Sequence, residues 1–300
     1  MKRLTCITMA VISACFWTAG TAEAIDTYTV GDAATGIASS RHNLGATGFF
    51  TMTGNTTEIC VFCHTPHHSN RENGIKPLWN RYSASSASFV AYGPTMGEEF
   101  AGATSIGSSS LACLSCHDGV VTFDSLVNAP GKGGVTLTGT DRGWSFFSPS
   151  GQTADYITDP ALNIGRDLSN DHPISIPYTE FTAGLRPMDT VISDIDLADG
   201  LNTGALQFDR GNLDRNLWAV MGYISDTATI QDLLRVTDGQ WRVECTSCHD
   251  PHFNNKSWTE IDYTYGPGGV QNLRFESNGL FLRRVGGNSG SGVCRTCHHK

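Results

Sequence analysis

Residues 60–68 read CVFCHTPHH. Two cysteines bracket two residues, a histidine follows at once, and two more histidines arrive within four positions. The same five-residue signature returns as CLSCH at 113–117, CTSCH at 245–249 and CRTCH at 294–298. Eight of the ten cysteines belong to these pairs, and the other two, Cys6 and Cys15, lie in an apolar N-terminal run. Paired cysteines in an exported chain can mean disulfides, and C-x-x-C pairs can mean zinc. Neither explains a histidine after every pair.

Haem c does. Two thiols add to the two vinyl groups on one side of a porphyrin, and the next imidazole reaches the iron. The expectation is four covalently attached haem c groups, held by Cys60/Cys63, Cys113/Cys116, Cys245/Cys248 and Cys294/Cys297. Their proximal iron ligands would be His64, His117, His249 and His298.

Four six-coordinate irons would need four more ligands, and six further histidines are present: His42, His67, His68, His172, His252 and His299. Methionine ligands at Met52, Met96, Met188 or Met221 are therefore not required. His67 and His252 hold the same place in CHTPH and CHDPH, each after a proline that restricts the backbone. A histidine three residues past the proximal one cannot swing to the opposite face of its own haem, so it points to a neighbouring haem. The simplest pairing gives His67 to the haem at Cys113/Cys116 and His252 to the haem at Cys294/Cys297. His42 and His172, in loop-like settings, complete the other two in either order. His68 and His299 sit beside better ligands and are expected to be exposed or bonded to propionates.

The N-terminus reads as an export signal. Lys2 and Arg3 precede LTCITMAVISACFWTAG, and Ala22-Glu23-Ala24 is a small-x-small cleavage site. Removing residues 1–24 takes Lys2, Arg3 and Glu23, moving the formal charge from −9 to −10. Nucleic acid is an unsuitable partner for that surface. No later apolar run approaches a membrane span. The 33 glycines among 300 residues exceed the usual share of about 7%, and such a chain would make a poor core alone. The expected fold is mostly irregular, with short helices and few short strands, wrapped around the four haems.

Residues 25–300 are expected to form one tetrahaem domain, with motif pairs at 60–117 and 245–298 and a long loop-rich segment over 126–240. Ser108–Ser110 could cap a helix carrying LACLSCHDG. Residues 212–223, NLDRNLWAVMGY, suit an amphipathic helix, while 240–244 and 280–284 suit short strands. The segment from Asn128 to about Gly165 suits a surface elaboration.

Taken together, HNL, CHTPH, LSCHDG, HPIS, TSCHDPH and the last Cys-x-x-Cys-His, spread over Arg41 to His298, resemble extracellular multihaem cytochromes. The nearest group is the tetrahaem cytochromes that polymerise into filaments. That resemblance implies bis-histidine haems in one continuous chain, held mostly by coil, with one ligand drawn from the next subunit. Carried over, the ligands would be His42, His67, His172 and His252 beside the four motif histidines.

The function implied is electron transfer with no substrate site, as a filament subunit at the cell surface serving an acceptor such as a metal oxide. Partners would be further copies joined head to tail, or other multihaem cytochromes. A monomeric periplasmic shuttle and a subunit of a trans-envelope conduit are the alternatives. A multihaem reductase is the enzymatic rival, disfavoured by the surplus of histidines and the absence of CxxCK.

Overall fold

The computed structural model describes residues 37–40, 42–45, 57–75, 78–92, 105–123, 125–128, 156–160, 162–169, 174–179, 184–197, 216, 218–220, 223–225, 227–252, 262–264, 270–272, 281–284, 288 and 291–299. His172, Met52, Met96, Met221 and residues 1–24 lie outside them.

Every Cys-x-x-Cys-His segment closes one helical turn. The histidine N–H bonds the carbonyl of the first cysteine in the first, third and fourth motifs, at 2.7 Å for His64 and 2.9 Å for His249 and His298. The second motif ends the longest helix, α1 (Ser108–His117), which buries Leu111 and Leu114. Residues three apart on such a turn share a face, so each cysteine pair projects to one side. The residue before α1 is Gly107, with no side-chain cap bond. The serines expected to cap the helix therefore sit inside it, and Ser110 bonds Glu244 of a later segment instead.

Strands are short. β1 (Ile176–Pro177) pairs with β5 (Gln240–Val243), which pairs with β4 (Arg235–Thr237), all antiparallel. β4 and β5 are joined by Asp238-Gly239, both left-handed at φ 51° and 74°, the two-residue turn whose twist matches paired strands. α2 (Ile230–Leu233) precedes β4 behind a Thr229–Asp232 capping box, and α3 (Cys245–Cys248) is the third motif itself. β2 (Trp218–Val220) pairs with β3 (Tyr223–Ser225), and β6 (Asp262–Thr264) with β7 (Val270–Asn272). The chain closes with α4 (Gly292–Cys297).

The strand expected at 240–244 is present. The helix expected over 212–223 is not: its described part runs into the β2–β3 pair. Trp, Val, Tyr and Ile favour extended backbone, and Gly222 between the strands weakens a helix. Residues 280–284 contribute two single bridges, Leu282 to His249 and Arg284 to Trp218, rather than a strand. Of the expected surface elaboration, only 128, 156–160 and 162–165 fall among the described residues.

The described chain is mostly irregular, as expected, but it has apolar clusters of its own. Ile75, Trp79, Phe89, Leu111, Leu114 and Leu168 gather around α1. Tyr178, Ile192, Trp218, Ile230 and Leu233 gather around α2. Burying each such side chain is worth about 1.5–3 kcal/mol. That corrects the expectation of an interior supplied by haem groups alone. Among the described residues no helix is long and apolar enough to cross a membrane.

Candidate functional site

Three of the four motif turns are held by one repeated device. His64 bridges antiparallel to Trp79, His249 to Leu282 and His298 to Leu185. Two backbone bonds flank each bridge. In the first motif Thr65 N–H donates to the Leu78 carbonyl at 2.9 Å and Asn80 N–H to the Cys63 carbonyl at 2.8 Å. In the third, Asp250 donates to Phe281 at 2.8 Å and Arg283 to Cys248 at 2.7 Å. In the fourth, His299 donates to Gly184 and Arg186 to Cys297, at 2.7 and 2.9 Å.

The residue before each bridge is left-handed: Leu78 at φ 49°, Phe281 at 55° and Gly184 at 90°. The residue after it sends a side chain to the carbonyl of the first residue between the cysteines. Asn80 Nδ2 donates to Val61 at 2.7 Å, Arg283 Nε to Thr246 at 2.7 Å and Arg186 Nε to Arg295 at 3.4 Å.

The second motif is held differently. The His117 carbonyl accepts Ile164 N–H at 2.9 Å, and its ring Nδ1 lies 2.7 Å from the Leu162 carbonyl. Arg81, fully buried, donates to the carbonyls of Ser115, Thr122 and Phe123 at 2.7–3.3 Å. Among the described residues no carboxylate bonds it, so its charge stands beside Cys63 and Cys116 and opposes the burial that raises both thiols.

Two imidazole pairs emerge. His42 faces His117, ring centroids 6.3 Å apart at 77°, and His252 faces His64, centroids 6.1 Å apart at 17°. Each pair joins one motif histidine to one histidine outside the four motifs. The neutral form is favoured at His117 and His42: burial lowers both, His42 to about 4, with His117, His252 and His249 lowering it further. His42 also stacks on Phe281 at 4.3 Å, and its Nδ1 is buried without a hydrogen-bond partner. Trp79, edge-on to His64, has a buried Nε1 likewise unpartnered. His252 is raised by its bond from Nδ1 to Asp250 at 3.1 Å.

His252 therefore lies opposite the first motif rather than serving the fourth, and His42 takes the place at the second motif that the spacing gave to His67. His67 and His68 are exposed, as is His299, and none of them faces another ring among the described residues. Met188 packs on the apolar cluster around α2.

The sulfurs fall into neighbours that follow chain order. Cys63 is raised to about 12 by burial and then by Cys116. Cys113 and Cys245 share a hydrogen bond that raises the first and lowers the second. Cys248 is raised to about 12 by burial and then by Cys297, itself raised to about 11 by burial. All eight are unoxidised thiols.

Among the described residues no group of three or more His, Cys, Asp or Glu side chains could hold a metal ion. No protein-family model matches the chain, and no curated protein matches it. The expectation of four complete haem c centres is thus corrected to two facing imidazole pairs and eight thiols. The likeness to extracellular multihaem and filament-forming tetrahaem cytochromes finds no match, and a fold wrapped around four haems is not what the described residues show. The electron-transfer role, and the placing of the chain outside the enzymes, rested on that chain of haems and lose their footing with it.

Proposed function

We propose that the four Cys-x-x-Cys-His turns are cofactor-binding segments, their cysteines contacting the cofactor and their histidines ligating its metal. The cysteines are Cys60, Cys63, Cys113, Cys116, Cys245, Cys248, Cys294 and Cys297. The motif ligands are His64, His117, His249 and His298, and the opposing ligands include His42 and His252.

The observation that carries this reading is the spacing of the two imidazole pairs. Two metal–nitrogen bonds of about 2.0–2.1 Å each, with the two ring radii, fill a centroid separation of about 6 Å. Among the described residues neither pair belongs to a group of three or more His, Cys, Asp or Glu side chains that could hold a metal ion, so further coordination positions would have to come from the cofactor. Leu162 and Asp250 supply the second-sphere acceptors that usually orient a ligating imidazole. When bound, the group supplies the metal's chemistry; the chain positions it, shields it and fixes the tautomers of its histidines.

His42→Ala and His252→Ala test this on protein isolated from its own host. Each is expected to alter the absorption and paramagnetic signature of one metal. Identical spectra in both variants and the parent would overturn the reading.

The same proposal includes export through residues 1–24, leaving 25–300 as one unit, and self-association of that unit. The basic start, apolar run and Ala22-Glu23-Ala24 support export, and exposed His67 supports contact with a second copy. Terminal sequencing that begins at Ile25, and a mass in solution above that of one chain, are the expected results. An uncut, monomeric product would count against both.

A further inference from the structure

The three return segments are PLWN at 77–80, LFLR at 280–283 and AGLR at 183–186, and only the last two share letters, a closing Leu-Arg. They share a geometry, in which a left-handed residue is followed by a bridge residue and then by a side chain bonded into the motif turn. We infer that Asn80, Arg186 and Arg283 are equivalent positioning residues, each fixing the turn that presents the cysteine pair and histidine at the first, fourth and third motifs.

The reason is backbone accounting. A turn of one helical repeat bonds its first carbonyl, that of the first cysteine, and leaves the carbonyls after it without intrahelical partners, and a buried carbonyl needs a donor. Asn80 is fully buried and holds the Val61 carbonyl while its Oδ1 accepts Asn128 N–H at 2.8 Å. Arg283 adds the Ala219 carbonyl at 3.0 Å and Asp250 at 3.1 Å. Tyr178 OH joins Arg186 on the fourth unit, donating to the Arg186 carbonyl at 2.6 Å. The bridge on the other side of the turn fixes the backbone of the histidine, so turn and histidine move as one. Removing the side-chain arm frees the turn and leaves the bridge to hold the histidine alone.

This rests on the metal-binding reading above and is tested separately from it. The probe is amide hydrogen exchange, read by mass spectrometry on the peptides that carry the motif turns. In Arg283→Met and Arg186→Met the third and fourth turns are expected to exchange about 10-fold faster than in the parent, the scale of one lost buried hydrogen bond, with the other two turns unchanged. Arg283→Lys and Arg186→Lys retain a donor and are expected to approach the parent rate, even where thermal stability is not restored.

Leu78→Gly guards against variants that fail to fold. It removes left-handed strain at a position where the fourth unit already carries Gly184, so it is expected to fold and to slow exchange at the first motif turn. Folded variants with the parent's exchange at all four turns would overturn the inference. A parent protein carrying no metal group would overturn the reading beneath it instead.

Discussion

The second motif and the third carry nearly the same letters, CLSCHDG and CTSCHDP, yet the chain holds them in different ways. The second ends a ten-residue helix whose own apolar face buries Leu111 and Leu114. The third is a bare four-residue turn, β5 leading in and the 281–283 segment clasping its histidine. Their arginines differ to match. Arg81 at the second motif is answered by carbonyls, whereas Arg283 at the third is answered by carbonyls and by Asp250 at 3.1 Å. A five-residue signature thus sets the turn, and contacts distant in sequence decide what holds it.

Four substitutions probe that difference, and the largest effect belongs to Arg81. Arg81→Met strips a donor from three carbonyls around the second motif, and each loss of a buried partner costs about 1–3 kcal/mol. A total near 4 kcal/mol is expected in denaturant unfolding, and a loss below 1 kcal/mol would show that the helix holds the second motif without it. Arg283→Met should cost about 3 kcal/mol, because it also takes from the nearly buried Asp250 its arginine partner and leaves His252 alone to answer the carboxylate. The two losses should add, since the two arginines bond different carbonyls; strong non-additivity would show that the contact between the second and third motifs couples them.

Gly107→Ala comes next. A methyl group there would lie within 3 Å of the Glu244 carboxyl and the Thr237 hydroxyl, where the second and third motifs meet. About 1–3 kcal/mol is expected for that overpacking, read as a lower midpoint. The smallest effect is stabilising: Leu78, half exposed, should gain about 1 kcal/mol on replacement by glycine.

The contact between the second and third motifs also has a pH signature. Glu244 is almost fully buried among Ser110, Ser175 and Thr237, and burial raises its carboxyl above the ordinary 4.5. The folded state therefore binds the proton more tightly than the unfolded state. The associated stability is complete below pH 4.5 and is lost as pH rises through the folded value. In Glu244→Gln, unfolding followed upward from pH 4.5 should lose that component of the slope. An unchanged slope would place the proton elsewhere.

Much of this was legible in the letters. The turns at the four motifs, the helix from residue 108 and the strand ending at Val243 follow from spacing, apolar pattern and β-branched content. The Asp238-Gly239 turn carries a signal as well, a two-residue Asp-Gly hairpin loop. The pairings were not legible. His252 meets His64 across nearly 190 positions of sequence, and no local pattern encodes which of six spare histidines lies opposite a given turn. The return segments were hidden for a related reason. Their equivalence lies in a backbone angle shared by leucine, phenylalanine and glycine, and in a donor that is asparagine once and arginine twice. The region around 212–223 was misread because an apolar period compatible with a helix also fits two short strands.

Thiol alkylation of the folded chain from its own host, paired with metal analysis of the same sample, tests the central claim most directly. The account predicts bound metal, and cysteines at Cys60/Cys63, Cys113/Cys116, Cys245/Cys248 and Cys294/Cys297 that react more slowly while the cofactor is bound. A metal-free chain whose eight cysteines react alike before and after chelation would contradict it.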